Sequence, residues 1–102
     1  MTPEALVRLA ELDASICYEI DLHESLLQLD PTRHVADALR DAQKTGSDVV
    51  KIIHGRGAGV LQEKIRRFLE KEQRKGMVGY FRASDRLDEI GAVLYVVCGD
   101  KK

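Results

Sequence analysis

Apolar residues recur along this chain with two periods, and the changes of period divide it into elements. Between residues 2 and 13, Leu6, Leu9 and Ala10 recur at helical spacing, with Thr2 placed to cap the helix and Pro3 at its first position. The stretch "ICYEIDLH" then alternates. Ile16, Tyr18, Ile20 and Leu22 fall on one side and Cys17, Glu19, Asp21 and His23 on the other, as in a half-buried strand. "ESLLQLDP" reads as a loop, longer than most strand-to-helix connections. Asp30-Pro31 opens a second helix with Val35, Ala38, Leu39 and Ala42 as its apolar stripe, and Gly46 ends it. "DVVKIIH" is a second strand, and a helix from about Val60 to Arg74 follows, with Leu61, Ile65, Phe68 and Leu69 facing inward. "MVGYFRA" predicts a strand near an edge, because Gly79 weakens it. "SDRLDEIG" reads as a loop, and the almost wholly apolar "AVLYVVC" as a well-covered strand.

After the first helix the order is β-α-β-α-β-β. A helix between two strands makes them parallel, so the pattern predicts an α/β (α+β) two-layer sandwich: a mixed four-stranded sheet with helices on one face, plus a short N-terminal helix. The 102 residues suffice for one domain. The expected division is an N-terminal helical extension at 1–15, a domain at 16–99 and a tail at 100–102, with the final "GDKK" frayed. No apolar run approaches the length of a membrane span, and charges thread the N-terminus, unlike a signal peptide. Cys17 and Cys98 are far apart with no metal-ligand spacing, which suits free thiols of a cytoplasmic protein.

Charge changes the picture through its distribution. A net charge of −1 argues against a generally basic nucleic-acid binder. Residues 1–50 carry 4 Lys/Arg against 10 Asp/Glu, whereas residues 51–75 carry 8 against 3, so positive potential concentrates in the second strand, its loop and the helix after it. A solvated helix face laced with ion pairs is the alternative reading of that run.

The chemistry-bearing residues gather where parallel strands end. Asp21 and His23 close the first strand and share a face, with Cα atoms about 6.5–7 Å apart, so the carboxylate favours a protonated imidazole. The second strand ends in His54-Gly55-Arg56-Gly57, with Gly59 two residues on. Gly55, Gly57 and Gly59 permit a tight turn whose N–H groups, with the N-terminus of the next helix, form an anion site. Arg56 adds a bidentate phosphate contact. A turn that needs glycine for sterics alone is the competing explanation. The G-x-G-x-G spacing matches neither the dinucleotide fingerprint nor the phosphate loop of nucleotide hydrolases. Lys64, Arg67 and Lys71 lie at i, i+3 and i+7 and can track a phosphate backbone. A metal site from Asp21, His23 and His54 is conceivable on ligand type, but the spacing does not demand one, so no cofactor is expected and a divalent metal stays open. His34 reads as a surface residue.

"EIDLH" at 19–23 and "IHGRGAGVL" from Ile53 to Leu61 resemble the Smr (small MutS-related) domain. That family pairs a strand ending Leu-Asp-Leu-His-Gly with a second ending His- or Thr-Gly-Lys/Arg-Gly, followed by Gly-Val-Leu opening a helix. "YFRAS" and "IGAVLYVV" also resemble its closing strands, so the resemblance spans about residues 19 to 97. One departure is Glu24 in place of the usual glycine, with a longer loop behind it. The resemblance implies a fold similar to the C-terminal domain of translation initiation factor three, nucleic-acid binding and, in several members, endonuclease activity on DNA or on mRNA at stalled ribosomes. The expected function is phosphodiester cleavage, RNA before DNA. Asp21, His23 and His54 would be catalytic, while Gly55, Arg56, Gly57, Gly59, Lys64, Arg67 and Lys71 would bind phosphate. The alternatives are a non-catalytic nucleic-acid or ribosome-binding module, and a small-anion or nucleotide site in the same loop.

Overall fold

A computed structural model describes residues 2–22, 30–56 and 59–99. The expected loop 24–29, with Glu24, lies outside the described residues, as do His23, Gly57 and the tail 100–102. Strands β1 (Cys17–Asp21), β2 (Val49–Ile53), β3 (Val78–Ala83) and β4 (Val93–Cys98) form one sheet in the order β1-β2-β4-β3. β1 runs parallel to β2, and β4 runs antiparallel to both β2 and β3. Three strands therefore end on one rim, where β4 begins. β4 is central and its first five residues are buried, as its unbroken apolar run predicts. β3 is an edge, and its register slips between Val78 and Tyr80, on either side of Gly79.

Helices α2 (Pro31–Thr45) and α3 (Gly59–Lys75) cover one face of the sheet. Val35, Ala38, Leu39 and Ala42 of α2 and Leu61, Ile65 and Leu69 of α3 enclose the main core with Val50, Ile52, Leu94 and Val96. The Asp30 carboxylate accepts from Thr32 N–H to start α2, and Gly46 ends it in the left-handed region at φ 81°. A Cβ at Gly46 would meet nothing within 4 Å, so only backbone conformation resists substitution. Gly46→Ala is expected to lower the unfolding free energy by about 1 kcal/mol, read as a lower urea midpoint at unchanged m-value. An unchanged midpoint would show that this helix end does not need the left-handed cap.

The sequence pattern misplaces the N-terminal segment in two respects. Helix α1 (Pro3–Leu12) covers the face of the sheet opposite α2 and α3 and packs with Val49, Val93, Tyr95 and Val97. Its inward residues are Val7, Ala10 and Glu11, with Leu6 half-buried, whereas Leu9 points outward. Ile16 ends a 3₁₀ turn (Ala14–Ile16) and joins Cys17 in the cluster under α1, so the alternation begins at Cys17.

The seam between α1 and the segment 84–92 is polar. Glu11 receives hydrogen bonds from the Arg82 guanidinium (2.6 and 3.3 Å), the Ser84 hydroxyl (3.3 Å) and Asp85 N–H (3.2 Å). Arg86 donates to the Glu11 carbonyl. Behind it, Glu89 accepts from Ser84 and Tyr95 at 2.8 Å each and pairs with Lys51 at 2.7 Å. At the other end of the sheet, Gly99 is anchored rather than frayed. Its N–H donates to the Met77 carbonyl, and a side chain there would run into the Gly76 carbonyl.

Candidate nucleic-acid interface

The rim where β1, β2 and β3 end is stitched by backbone hydrogen bonds. Leu22 N–H donates to the Ile53 carbonyl, Ser84 N–H to the Val93 carbonyl, and both His54 and Gly55 N–H to the Ala92 carbonyl. Gly55 turns the chain with φ 85°, a conformation that favours glycine. Helices α2 and α3 both begin at this rim, and Lys64 Nζ lies 4.0 Å from the N-cap residue Asp30. The first turn of α3 holds no acidic residue, so no side chain there neutralises the positive end of this 17-residue helix. Beside it, Gly59, Val60, Glu63, Lys64 and Arg67 line an open hollow of about 470 Å³.

The basic stripe on α3 is longer than the predicted one. Lys64, Arg67 and Lys71 are exposed, and Arg74 continues the series at i+10. Arg67 is partnered by Glu63, while Lys71 and Arg74 form no ion pair among the described residues. Four cations on one helix face span about 15 Å.

His54 is 1 % exposed. Its Nδ1 lies 3.0 Å from the Gly55 carbonyl, an acceptor only, so Nδ1 carries the proton. Burial lowers its pKa against the opposing effect of that hydrogen bond, and the ring is neutral in neutral solution. Nε2 then holds a bare lone pair, with no partner among the described residues. A neutral acceptor does not hold a phosphate oxygen, but it can accept a proton. Because folding lowers this pKa, His54 contributes stability above its unfolded value of roughly 6.5, and that stability is lost as pH falls through the folded value. Wild type is therefore expected to lose up to about 1.4 kcal/mol per pH unit below 6.5 from this residue. Thermal melts from pH 7.5 to 5.0 should show a shallower slope for His54→Gln.

The candidate residues do not all meet. Asp21 is exposed and in register with Ile53, which packs on the α1 side of the sheet. His54, one residue on, takes the parity of Leu22 on the α2/α3 side. Asp21 and His54 thus end neighbouring strands on opposite faces. Arg56 directs Nε to the Ile90 carbonyl (3.1 Å) and Nη2 to the Leu87 carbonyl (3.4 Å), tying the segment before β4 to the loop. Nη1 is unengaged among the described residues, so an anion can meet only the outer edge of this guanidinium. His34 is half-buried rather than a surface residue, and its Nε2 is enclosed without a partner among the described residues. Its position in α2, two residues after Thr32, carried no signal of that enclosure. Among the described residues no group of three His, Cys, Asp or Glu could hold a metal ion. Burial raises the thiol pKa of both cysteines, Cys98 to about 11, and they are free.

Fold and site together define a small mixed α/β domain with a glycine turn, a helix whose first turn holds no acidic residue, and a cationic helix face on one rim. The Smr domain family model matches residues 20–98, and the chain belongs to the Smr family. The solved Smr domain of Thermus thermophilus MutS2 is similar, at 30 % identity with a TM-score of 0.59, over 78 % of this chain and 95 % of that one. No curated protein matches significantly. Smr domains generally bind nucleic acid, and some members are nucleases.

Proposed function

We propose that this domain binds nucleic acid along the rim and α3, and that it cleaves phosphodiester bonds, in RNA before DNA. The observation that carries the reading is the coincidence of the acid-free first turn of α3 with the Lys64–Arg67–Lys71–Arg74 stripe, in a chain of this family. Loop amides at 55–59 and the outer edge of Arg56 hold the phosphate and stabilise charge developing on it. His23, oriented by Asp21, and the lone pair of His54 Nε2 supply the proton acceptor and donor. With RNA the 2′-oxygen attacks phosphorus as its proton passes to an imidazole, and the 5′-oxygen leaves with a proton. The products are a 2′,3′-cyclic phosphate and a 5′-hydroxyl, and this step needs no metal.

The test incubates wild type, Asp21→Asn and His54→Gln with end-labelled single-stranded RNA, the same RNA with a 2′-deoxy linkage, and supercoiled DNA, with and without chelator. His54→Gln keeps the volume of the buried ring more nearly than alanine would. The expected result is cyclic-phosphate product from wild type alone, absent at the deoxy linkage and insensitive to chelator. Equal cleavage by all three proteins would overturn the assigned roles. The burial of His54 favours a second reading, a recognition module of the same rim without catalysis. It predicts binding that weakens as salt rises, with no product over long incubation.

A further inference from the structure

The described chain exposes five large apolar side chains: Leu9, Leu12, Val60, Leu87 and Ile90. Three of them border the glycine turn. Val60, 88 % exposed, stands in the first turn of α3 and lines the hollow with Lys64 and Arg67. Leu87 (91 % exposed) and Ile90 (54 %) belong to the segment before β4. Their carbonyls are the two that Arg56 holds, so the arginine between the glycines fixes where these side chains stand. Apolar groups gathered on a cationic rim serve a ligand with both an anionic and an apolar part. A nucleotide unstacked from its neighbours is such a ligand, whereas a duplex presents its phosphates and hides its base faces.

The aromatic side chains cannot supply the apolar contact. There is no Trp. Tyr95 is buried, Phe68 and Phe81 pack against the main core, Tyr80 packs against the cluster under α1, and the Tyr18 hydroxyl bonds to Asp41. Aliphatic side chains are what this rim has to offer a base.

Resting on the reading that the rim binds nucleic acid, we propose that Leu87 and Ile90, positioned by Arg56, receive an unpaired base beside the bound phosphate, so that the substrate is single-stranded or locally unpaired nucleic acid. The full chain and its Leu87→Ser/Ile90→Ser variant are titrated at one salt concentration with a labelled single-stranded RNA, the same strand carrying adjacent abasic positions, its duplex, and a single-stranded DNA of the same sequence. Wild type should prefer single strand to duplex by about tenfold. The double variant should lose roughly five- to tenfold on both single strands and nothing on the abasic strand. Its salt dependence should be unchanged, because the phosphate contacts remain. An unchanged unfolding midpoint shows that the variant is folded. Equal single-strand binding by variant and wild type, or equal affinity of wild type for duplex and single strand, overturns this inference alone. No binding of any of the four probes by wild type overturns the functional reading, and this inference with it.

Discussion

Leu69→Ala is expected to lower the unfolding free energy by about 2–5 kcal/mol, enough to drop the melting temperature by roughly 10 °C or more in a domain of this size. Leu69 is 0 % exposed and lies where α3 meets the core of α2, β2 and β4. Truncation removes three carbons from a site fenced by two helices and a sheet, so little collapse can refill the space. Total stabilities of single domains are about 5–15 kcal/mol, so this one change consumes a large share of the total. Urea unfolding at pH 7.5 measures it, with Leu87→Ala as the surface control, expected within about 0.5 kcal/mol of wild type. A loss below 1 kcal/mol at Leu69 would mean that α3 does not seat this side chain in the main core.

Glu11→Ala should destabilise the domain by about 3–4 kcal/mol, the lower part of the range for breaking a buried ion pair, since Arg82 keeps 21 % of its side chain exposed. Burial by itself pushes the Glu11 carboxyl up, but Arg82, Asp85 N–H and Ser84 together outweigh it and hold the group below the usual carboxylate range. Glu89 is held down in the same sense, with burial opposed by Lys51, Ser84 and Tyr95. Both groups therefore contribute stability that is present above the ordinary carboxylate range and lost as pH falls through their lowered values. The alanine variant leaves Arg82, Ser84 and the Asp85 N–H short of a partner at one stroke. Its acid unfolding should begin from a lower plateau, with a smaller loss below pH 5. Glu11→Gln, which keeps acceptors for Ser84 and the Asp85 N–H but not the charge, should recover part of the loss. A Glu11→Ala protein as stable as wild type at pH 7.5 would show that α1 is not fastened through this carboxylate.

The features legible in the sequence were those written in local period. The α2 stripe, its Asp30 and Gly46 ends, the edge position of β3 and the central position of β4 all follow from residues within one element. The inward side of α1 was not legible. Its partner for Glu11 is Arg82, 71 residues away, and no periodicity records a bond of that range. In the candidate site, the rim itself could be read, because parallel strands share their ends. The work of Arg56 could not: an arginine between glycines looks the same whether it faces an anion or two carbonyls of a distant turn. Strand parity did contain the separation of Asp21 from His54, once the pairing of Asp21 with Ile53 was known.

The central place of β4 has a consequence for how the chain assembles. Among the described residues β4 is the only strand beside β3, and it joins β3 to the β1–β2 pair. A chain ending before Val93 retains one strand pair and a helix-bearing segment with no sheet to lie on. Closure of the sheet depends on contacts between segments 40 to 48 residues apart, from Ile53 against Val93 to Val49 against Val97, and such pairings bring slow, late folding. During synthesis the domain acquires its core only when its final strand has left the ribosomal tunnel, and until then Val50, Ile52, Ile65 and Leu69 are surfaces that a chaperone can hold.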